Sequence, residues 1–198
     1  KRSYTTVSGK GDAGLHPPLP STLVRVLAGV GGGWMAFTVV VYAVIFYGSR
    51  ISYAKLKEEV DRFATALQGL GITKGDRVAL YLLNSPQYIV AYFGALKAGA
   101  AVSPISPVYT SIEVRHQLLD SGAKSIVCQD FLYDNVERAE LELKNIIVAD
   151  IGEYLPMSKK IVGKSILGRY GKSEAMSPKA AESLGLHQFQ KLIKKYPP

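Results

Sequence analysis

The sequence predicts an α/β fold: a mostly parallel sheet with helices on both faces. Three observations point to it. Between Ile51 and Asp150 an amphipathic helix, a short turn and an apolar strand recur three times. The strand runs are too continuously apolar to leave one face in water. The stretches between them are helical in pattern, which makes the connections crossovers and the sheet parallel.

The first helix is expected from about Tyr53 to Leu70, where Leu56, Val60, Phe63, Leu67 and Leu70 step by four and three residues along one stripe. Ser52 caps its start, and Gly69 and Gly71 loosen its end. The Lys55/Glu59 and Glu58/Arg62 pairs are expected on its outer surface. Lys74-Gly75-Asp76 makes a turn into Val78–Leu83, read as a central strand buried on two sides.

The second unit begins with Asn84 or Ser85 as cap and Pro86 in the first turn. Ile89, Val90, Phe93 and Leu96 are expected to line its inward face, which stops at Gly99. A strand follows over Ala101–Ile105. Thr110-Ser111-Ile112-Glu113 is a capping box opening a third helix, with Val114, Leu118 and Leu119 inward and Gly122 at its end. Ser125–Cys128 is the third strand, Phe131–Leu143 a fourth helix, and Asn145–Ala149 a fourth strand.

Upstream, Lys1–Pro20 is polar and rich in Gly, Pro and Thr, and no regular structure is expected there. No charged residue falls between Arg25 and Arg50, a length that would cross a bilayer as a helix. Gly29, Gly31, Gly32, Gly33 and Gly48 oppose that helix. The β-branched and aromatic run Val39–Tyr47, followed by Gly48-Ser49-Arg50 and Ile51-Ser52-Tyr53, favours a hairpin instead.

Composition bounds the rest. With 198 residues, 47% of them apolar, the chain can bury one ordinary core. The lone Cys128 cannot form an internal disulfide, so a reducing, cytoplasmic setting is expected. Its place in an apolar strand argues against a catalytic thiol. Most of the net charge of +8 comes from Lys159 onward, where nine basic residues face Glu174 and Glu182. Such a segment reads as a solvated linker, with peripheral contact to anionic lipid headgroups, or contact to a nucleotide or nucleic acid, as the sharper possibilities. Nucleic-acid binding is not expected, because Tyr170 and Phe189 form no repeated aromatic platform.

Chemistry-bearing patterns are few. Gly31-Gly32-Gly33-Trp34-Met35-Ala36 spells a dinucleotide fingerprint, but the next carboxylate is Glu58, too far on to hold a ribose. His16, His116 and His187 have no metal-ligand neighbours at helical spacing. Glu137, Glu140 and Glu142 read as one wet helical face. Ser103 and Ser106 lack the glycine-flanked elbow of a hydrolase nucleophile. No catalytic or metal-binding residue is assigned from spacing.

The residues also carry a resemblance. The phrases GDRVALYLLNSPQYIVAYFGALKAGAAVSPISPVYTSIEV and LLDSGAKSIV, with IGEYLP and FQKLIKKYPP further on, resemble the N-terminal part of the AMP-forming acyl-CoA synthetases. Within that adenylate-forming family the likeness is closest to archaeal-type long-chain fatty acid–CoA ligases, and it covers roughly Ala43 to Pro198. It implies the first α/β layer of the ligase large domain. It also implies a complete enzyme that joins a fatty acid to ATP, with magnesium, and passes the acyl group to coenzyme A.

Asn84, Pro86, Tyr109, Thr110 and Glu113 match family-typical positions, as turn and cap residues. No YTSGTTGxPKG-like loop, ribose-binding aspartate or lid lysine is read in this sequence, so cofactor-binding positions stay unknown and the chain alone is expected to be inactive. The resemblance implies the remainder of the large domain as partner, or self-association where that partner is missing.

Upstream of Tyr42 the family pattern breaks; a fused segment, a membrane anchor or a frame change in the gene would each produce the break. The expected organisation is therefore an atypical flank with a hydrophobic segment (1–41), an α/β domain (42–150) and a basic linker (151–198). A rival reading is a membrane-anchored, non-catalytic α/β accessory or interaction subunit.

Overall fold

A computed structural model describes residues 42–156 and 185–198. The first residues form an antiparallel hairpin, β1 (Tyr42–Phe46) and β2 (Ser49–Ser52). Its two-residue turn puts Tyr47 at φ 49° and Gly48 at φ 98°, the left-handed pair whose twist matches paired strands. The hairpin arrives as expected, with its turn at Tyr47-Gly48, slightly earlier than the sequence suggested. Because Tyr42–Phe46 is strand, the uncharged stretch 26–49 is not one continuous helix. Among the described residues no helix is long and apolar enough to cross a membrane. The polar leader and the Gly31–Ala36 pattern lie outside the described residues.

Helix α1 (Tyr53–Gly69) follows, capped by the Ser52 hydroxyl accepting from the Lys55 N–H at 3.2 Å. Then come β3 (Arg77–Tyr81), α2 (Pro86–Lys97), β4 (Ala101–Pro104), α3 (Ser111–Ser121), β5 (Ser125–Gln129), α4 (Tyr133–Glu137), β6 (Asn145–Ala149), β7 (His187–Gln188) and α5 (Phe189–Lys195). Strands β4-β3-β5-β6-β7 form one sheet, and all four pairings are parallel.

Side-chain alternation splits the core in two. Val78, Leu80, Val127 and Ile147 point to a layer built from α1, α2 and α5. Ala79, Tyr81, Ile126, Cys128 and Val148 point to a layer built from α3 and α4. Strands β3, β5 and β6 are thus buried on both faces, which is why their runs are apolar without a gap. Phe63 of α1 is fully buried, with its ring centroid 4.8 Å from that of Phe189. A Cβ on Gly94 of α2 would come within 2.7 Å of the Phe63 ring. The glycine is what lets the two helices meet.

Four expectations are corrected. Phe93 and Leu96 are exposed, and α2 instead buries Gln87, Val90, Ala91, Gly94 and Ala95. That helix is apolar nearly all round, so periodicity does not select a face, whereas the small residues allow the closer approach to α1. Leu119 is likewise exposed, leaving Val114 and Leu118 as the buried residues of α3. The fourth helix does not run from Phe131 to Leu143. A 3-10 turn over Asp130–Leu132 leads into the five-residue α4, and Glu140 turns the chain at φ 49°. Arg115 donates through Nη1 to the carbonyls of Ala139 and Glu140, at 2.6 and 3.1 Å, and so claims backbone acceptors at that exit.

Finally, Glu59 is buried rather than on the outer surface. The 3-10 turn Ile151–Tyr154 brings the Tyr154 hydroxyl to its carboxylate at 2.7 Å. The neighbouring Glu58–Arg62 pair closes at 3.0 Å as expected. One strand and one helix came without a forecast: β7 and α5 arise from the segment read as basic linker, and Phe189, Leu192 and Ile193 join the core.

Candidate functional site

In an open parallel sheet the loops leaving the carboxyl ends of the strands converge, and that edge is where such folds place ligands. Here the edge gathers polar groups of unusual character. Gln87, in the first turn of α2 after β3, is fully buried and donates through Nε2 to the Asp150 carbonyl at 2.7 Å. Gln129 ends β5, is fully buried too, and donates to the Ala149 carbonyl at 2.7 Å. Asp130 follows it directly. Asp150 leaves β6 and accepts the Gly152 N–H at 2.7 Å, which starts the turn that carries Glu153 and Tyr154.

Four buried oxygens of this cluster find no hydrogen-bond partner among the described residues: Gln87 Oε1, Gln129 Oε1, Asp130 Oδ1 and Glu153 Oε2. All are acceptors. Burial, reinforced by the nearby Asp150 charge, pushes the Asp130 carboxyl up. Burial pushes Glu153 up to about 8, with Asp150 and Asp130 adding to the shift against weaker opposition from Gln87 and Lys194. Desolvation penalises the charged form, so at neutral pH Glu153 holds its proton. Burial and the Glu59 charge also raise the Tyr154 hydroxyl. The arrangement can hold a proton at the Glu153 carboxyl and can receive an incoming donor. It is unsuited to an anion.

The residues singled out from the sequence do not assemble here. Pro86 opens α2 while Ser85, not Asn84, caps it, accepting from the Tyr88 N–H at 3.4 Å. Thr110 and Glu113 form the capping box, in which the Thr110 N–H and hydroxyl both donate to Glu113 Oε2, at 2.8 and 2.9 Å. The Tyr109 carbonyl accepts the Tyr81 hydroxyl proton at 2.5 Å, and Asn135 donates to the same hydroxyl at 3.0 Å. These bonds tie α4 and the β4–α3 connection to β3.

Cys128 is fully buried, and burial raises its thiol far from reactivity. His187 sits on β7, where burial and then Lys195 lower its pKa. His116 is exposed on α3; Glu137, at the end of α4, and Glu140 and Glu142 beyond it are exposed too but do not share one helical face. Among the described residues no three His, Cys, Asp or Glu side chains are arranged to hold a metal ion.

Gln87, Gln129, Asp130, Asp150 and Glu153 were not foreseen. One signal was available: two apolar strands each run straight into a carboxylate, SIVC-Gln129-Asp130 and NIIVA-Asp150. What strand periodicity could not show is that the following turns fold these groups inward.

Comparison with known proteins gives the arrangement a family. The chain is 40% identical over 120 residues to a long-chain-fatty-acid–CoA ligase of Yersinia pestis, covering 59% of this chain and 21% of the relative. It is 34% identical over 122 residues to one of Bacillus subtilis (strain 168), covering 61% and 22%. The chain therefore spans about a fifth of the length of these curated relatives. Among solved structures it is similar to an anthranilate CoA ligase, AuaEII, in complex with anthranoyl-AMP, with TM-score 0.57 and 22% identity over 79% of this chain and 24% of that one. A benzoate CoA ligase from Burkholderia xenovorans LB400 gives TM-score 0.52 and 24% identity over 75% and 24%.

These two likenesses show the fold, an α/β layer of the adenylate-forming ligase large domain. The AMP-binding enzyme family model matches residues 34–182, more than half of the chain, and the protein belongs to that family.

Proposed function

We propose that this chain is the N-terminal portion of an AMP-forming fatty acid–CoA ligase and supplies scaffold rather than reacting groups. The observation that carries the reading is the 40% identity over 120 residues to a long-chain-fatty-acid–CoA ligase, covering about a fifth of that relative's length. In the complete enzyme the substrate carboxylate would attack the α-phosphorus of ATP, forming an acyl-adenylate and releasing pyrophosphate. The thiol of coenzyme A would then displace AMP, giving the acyl-CoA. Magnesium and backbone donors would neutralise the phosphate charge.

The buried cluster at the carboxyl edge does not fit a triphosphate, because its unpaired atoms are acceptors beside carboxyl groups. No step of the reaction is placed on it. Its chemistry fits a donor from another segment of the parent enzyme, such as a backbone N–H, an ammonium or a guanidinium. The archaeal-type affinity is part of this proposal and rests on the resemblance alone.

Exposed apolar side chains support a missing covering layer. Val108 is 85% exposed and Ile112 is 78% exposed, just beyond the edge strand β4. Isolated apolar surface of this kind favours association, so the 198-residue chain is expected to self-associate on sedimentation. A monomer stable to dilution opposes that part. The activity test is ATP–pyrophosphate exchange with saturated fatty acids of several lengths. No exchange is expected from this chain alone, and measurable exchange overturns the scaffold reading.

A further inference from the structure

The opposite edge of the sheet holds a second feature with a different chemistry. At the amino ends of β3 and β5 a cleft of about 330 Å³ is lined by Gly71, Gly75, Asp76, Arg77, Lys124 and Lys144, with Ile72, Gly122 and Ser125 completing its walls. Three cations converge on it. Lys144 Nζ donates to the Gly71 carbonyl at 3.3 Å. Arg77 and Lys124 make no side-chain hydrogen bond or ion pair with any described residue. Asp76, the one carboxylate of the lining, is occupied by Thr73, whose N–H and hydroxyl donate to Oδ2 at 2.7 and 2.9 Å.

The glycines are part of the construction. A Cβ on Gly122 would lie 3.1 Å from Arg77 Nη1, and one on Gly71 would lie 3.1 Å from Lys144 Nζ. Both residues adopt positive φ, 65° and 79°, so the turns that end α3 and α1 leave these charged tips room beside bare backbone. The Ser125 hydroxyl accepts from Asn145 Nδ2 at 3.1 Å and keeps its own proton to donate. Counting Asp76, the lining carries an excess of two positive charges, which suits a dianion.

We propose that this cleft binds a small soluble phosphoryl anion, held by Arg77, Lys124 and Lys144. Arg77 supplies a planar fork for two phosphate oxygens, and the lysines act as point charges. The lining offers one apolar side chain, Ile72, and it is itself buried; nothing there would seat an acyl chain, which sets a lipid headgroup aside. The site lies across the sheet from the buried acceptors, so it does not depend on the ligase proposal.

The test is titration of the 198-residue chain with inorganic pyrophosphate, read by isothermal calorimetry and by ³¹P line broadening, at about 0.15 M potassium chloride to screen diffuse attraction. Saturable one-site binding is expected. Arg77→Gln, Lys124→Gln and Lys144→Gln should each weaken it about tenfold, the loss of one charge-assisted bond. Lys191→Gln, at an exposed position of α5, should leave it unchanged. Circular dichroism checks that each variant is folded.

Absence of saturable binding up to about 10 mM overturns the proposal. So does equal weakening by Lys191→Gln and Lys124→Gln, which marks a diffuse basic surface. Binding to phosphatidic acid vesicles without binding to free pyrophosphate also overturns it.

Discussion

The two edges of the central sheet handle charge in opposite ways. At the carboxyl edge Gln87, Gln129, Asp130 and Glu153 each carry one oxygen that is closed to solvent and finds no hydrogen-bond partner among the described residues. At the amino edge Asp76, Arg77, Lys124 and Lys144 surround an open cleft. Burial raises the carboxyl pKa values of Asp130 and Glu153. At the other edge the Thr73 N–H and hydroxyl, with the lysines behind them, hold Asp76 below the usual carboxylate range. Asp130 and Glu153 are therefore pushed toward the neutral form while Asp76 is held toward the charged form, according to what water and which donors reach them.

That contrast can be broken by experiment, and the largest effect is expected at the buried edge. Gln87→Ala removes the bond to the Asp150 carbonyl and opens a cavity, at a cost of about 2–3 kcal/mol in urea unfolding. A loss below about 0.5 kcal/mol would mean the edge is wetter than described.

The pH response comes next. Glu153 has a folded pKa of about 8 against an ordinary 4.5, so the folded state binds more protons than the unfolded state between those values. Its contribution is fully present below about pH 4.5 and is lost as pH rises through about 8. Thermal melts should show Tm falling from pH 5 to pH 9, and Glu153→Gln should flatten that fall. Identical pH slopes in the two proteins would remove Glu153 as its source. Glu58, Asp61, Asp76 and Glu113, whose pKa values are lowered by hydrogen-bonding partners, act with the opposite sign. Their contribution is present above the ordinary carboxylate range and fades as pH falls through their lowered values.

Smaller effects are expected at the amino edge. Gly122→Ala should cost about 1 kcal/mol, because φ of 65° suits glycine and the new Cβ presses on Arg77. Lys144→Ala should stay within about 0.5 kcal/mol, since its head is exposed and bonds one carbonyl. Chemical denaturation measures both. A Lys144→Ala loss equal to that of Gln87→Ala would erase the difference between the edges.

How far the sequence foretold this depended on whether the deciding interaction was local. Ser52, Ser85 and the Thr110–Glu113 box cap helices through contacts three residues apart, and all were readable. Strands β3, β5 and β6 were readable because burial on two faces leaves an apolar run. Helix α2 shows where such reading stops: Phe93 and Leu96 are as apolar as Val90, and their exposure follows from the close approach of Gly94 to Phe63. The buried acceptors were missed for a related reason. A carboxylate after a strand looks like an ordinary solvated loop until the chain returns to cover it.

By itself the sequence determined the alternation of helix and strand, the parallel sheet and the family likeness, since these depend on periodicity, capping and the order of motifs along the chain. Only the tertiary structure decided that residues 187–195 supply the fifth strand and a core helix, that Glu59 is buried and one Glu153 carboxyl oxygen is closed to solvent, and that three cations share one cleft. The physical reason is sequence distance. Val148 pairs with Gln188, and Arg77 shares a cleft with Lys144, through a register and a twist that no local pattern encodes.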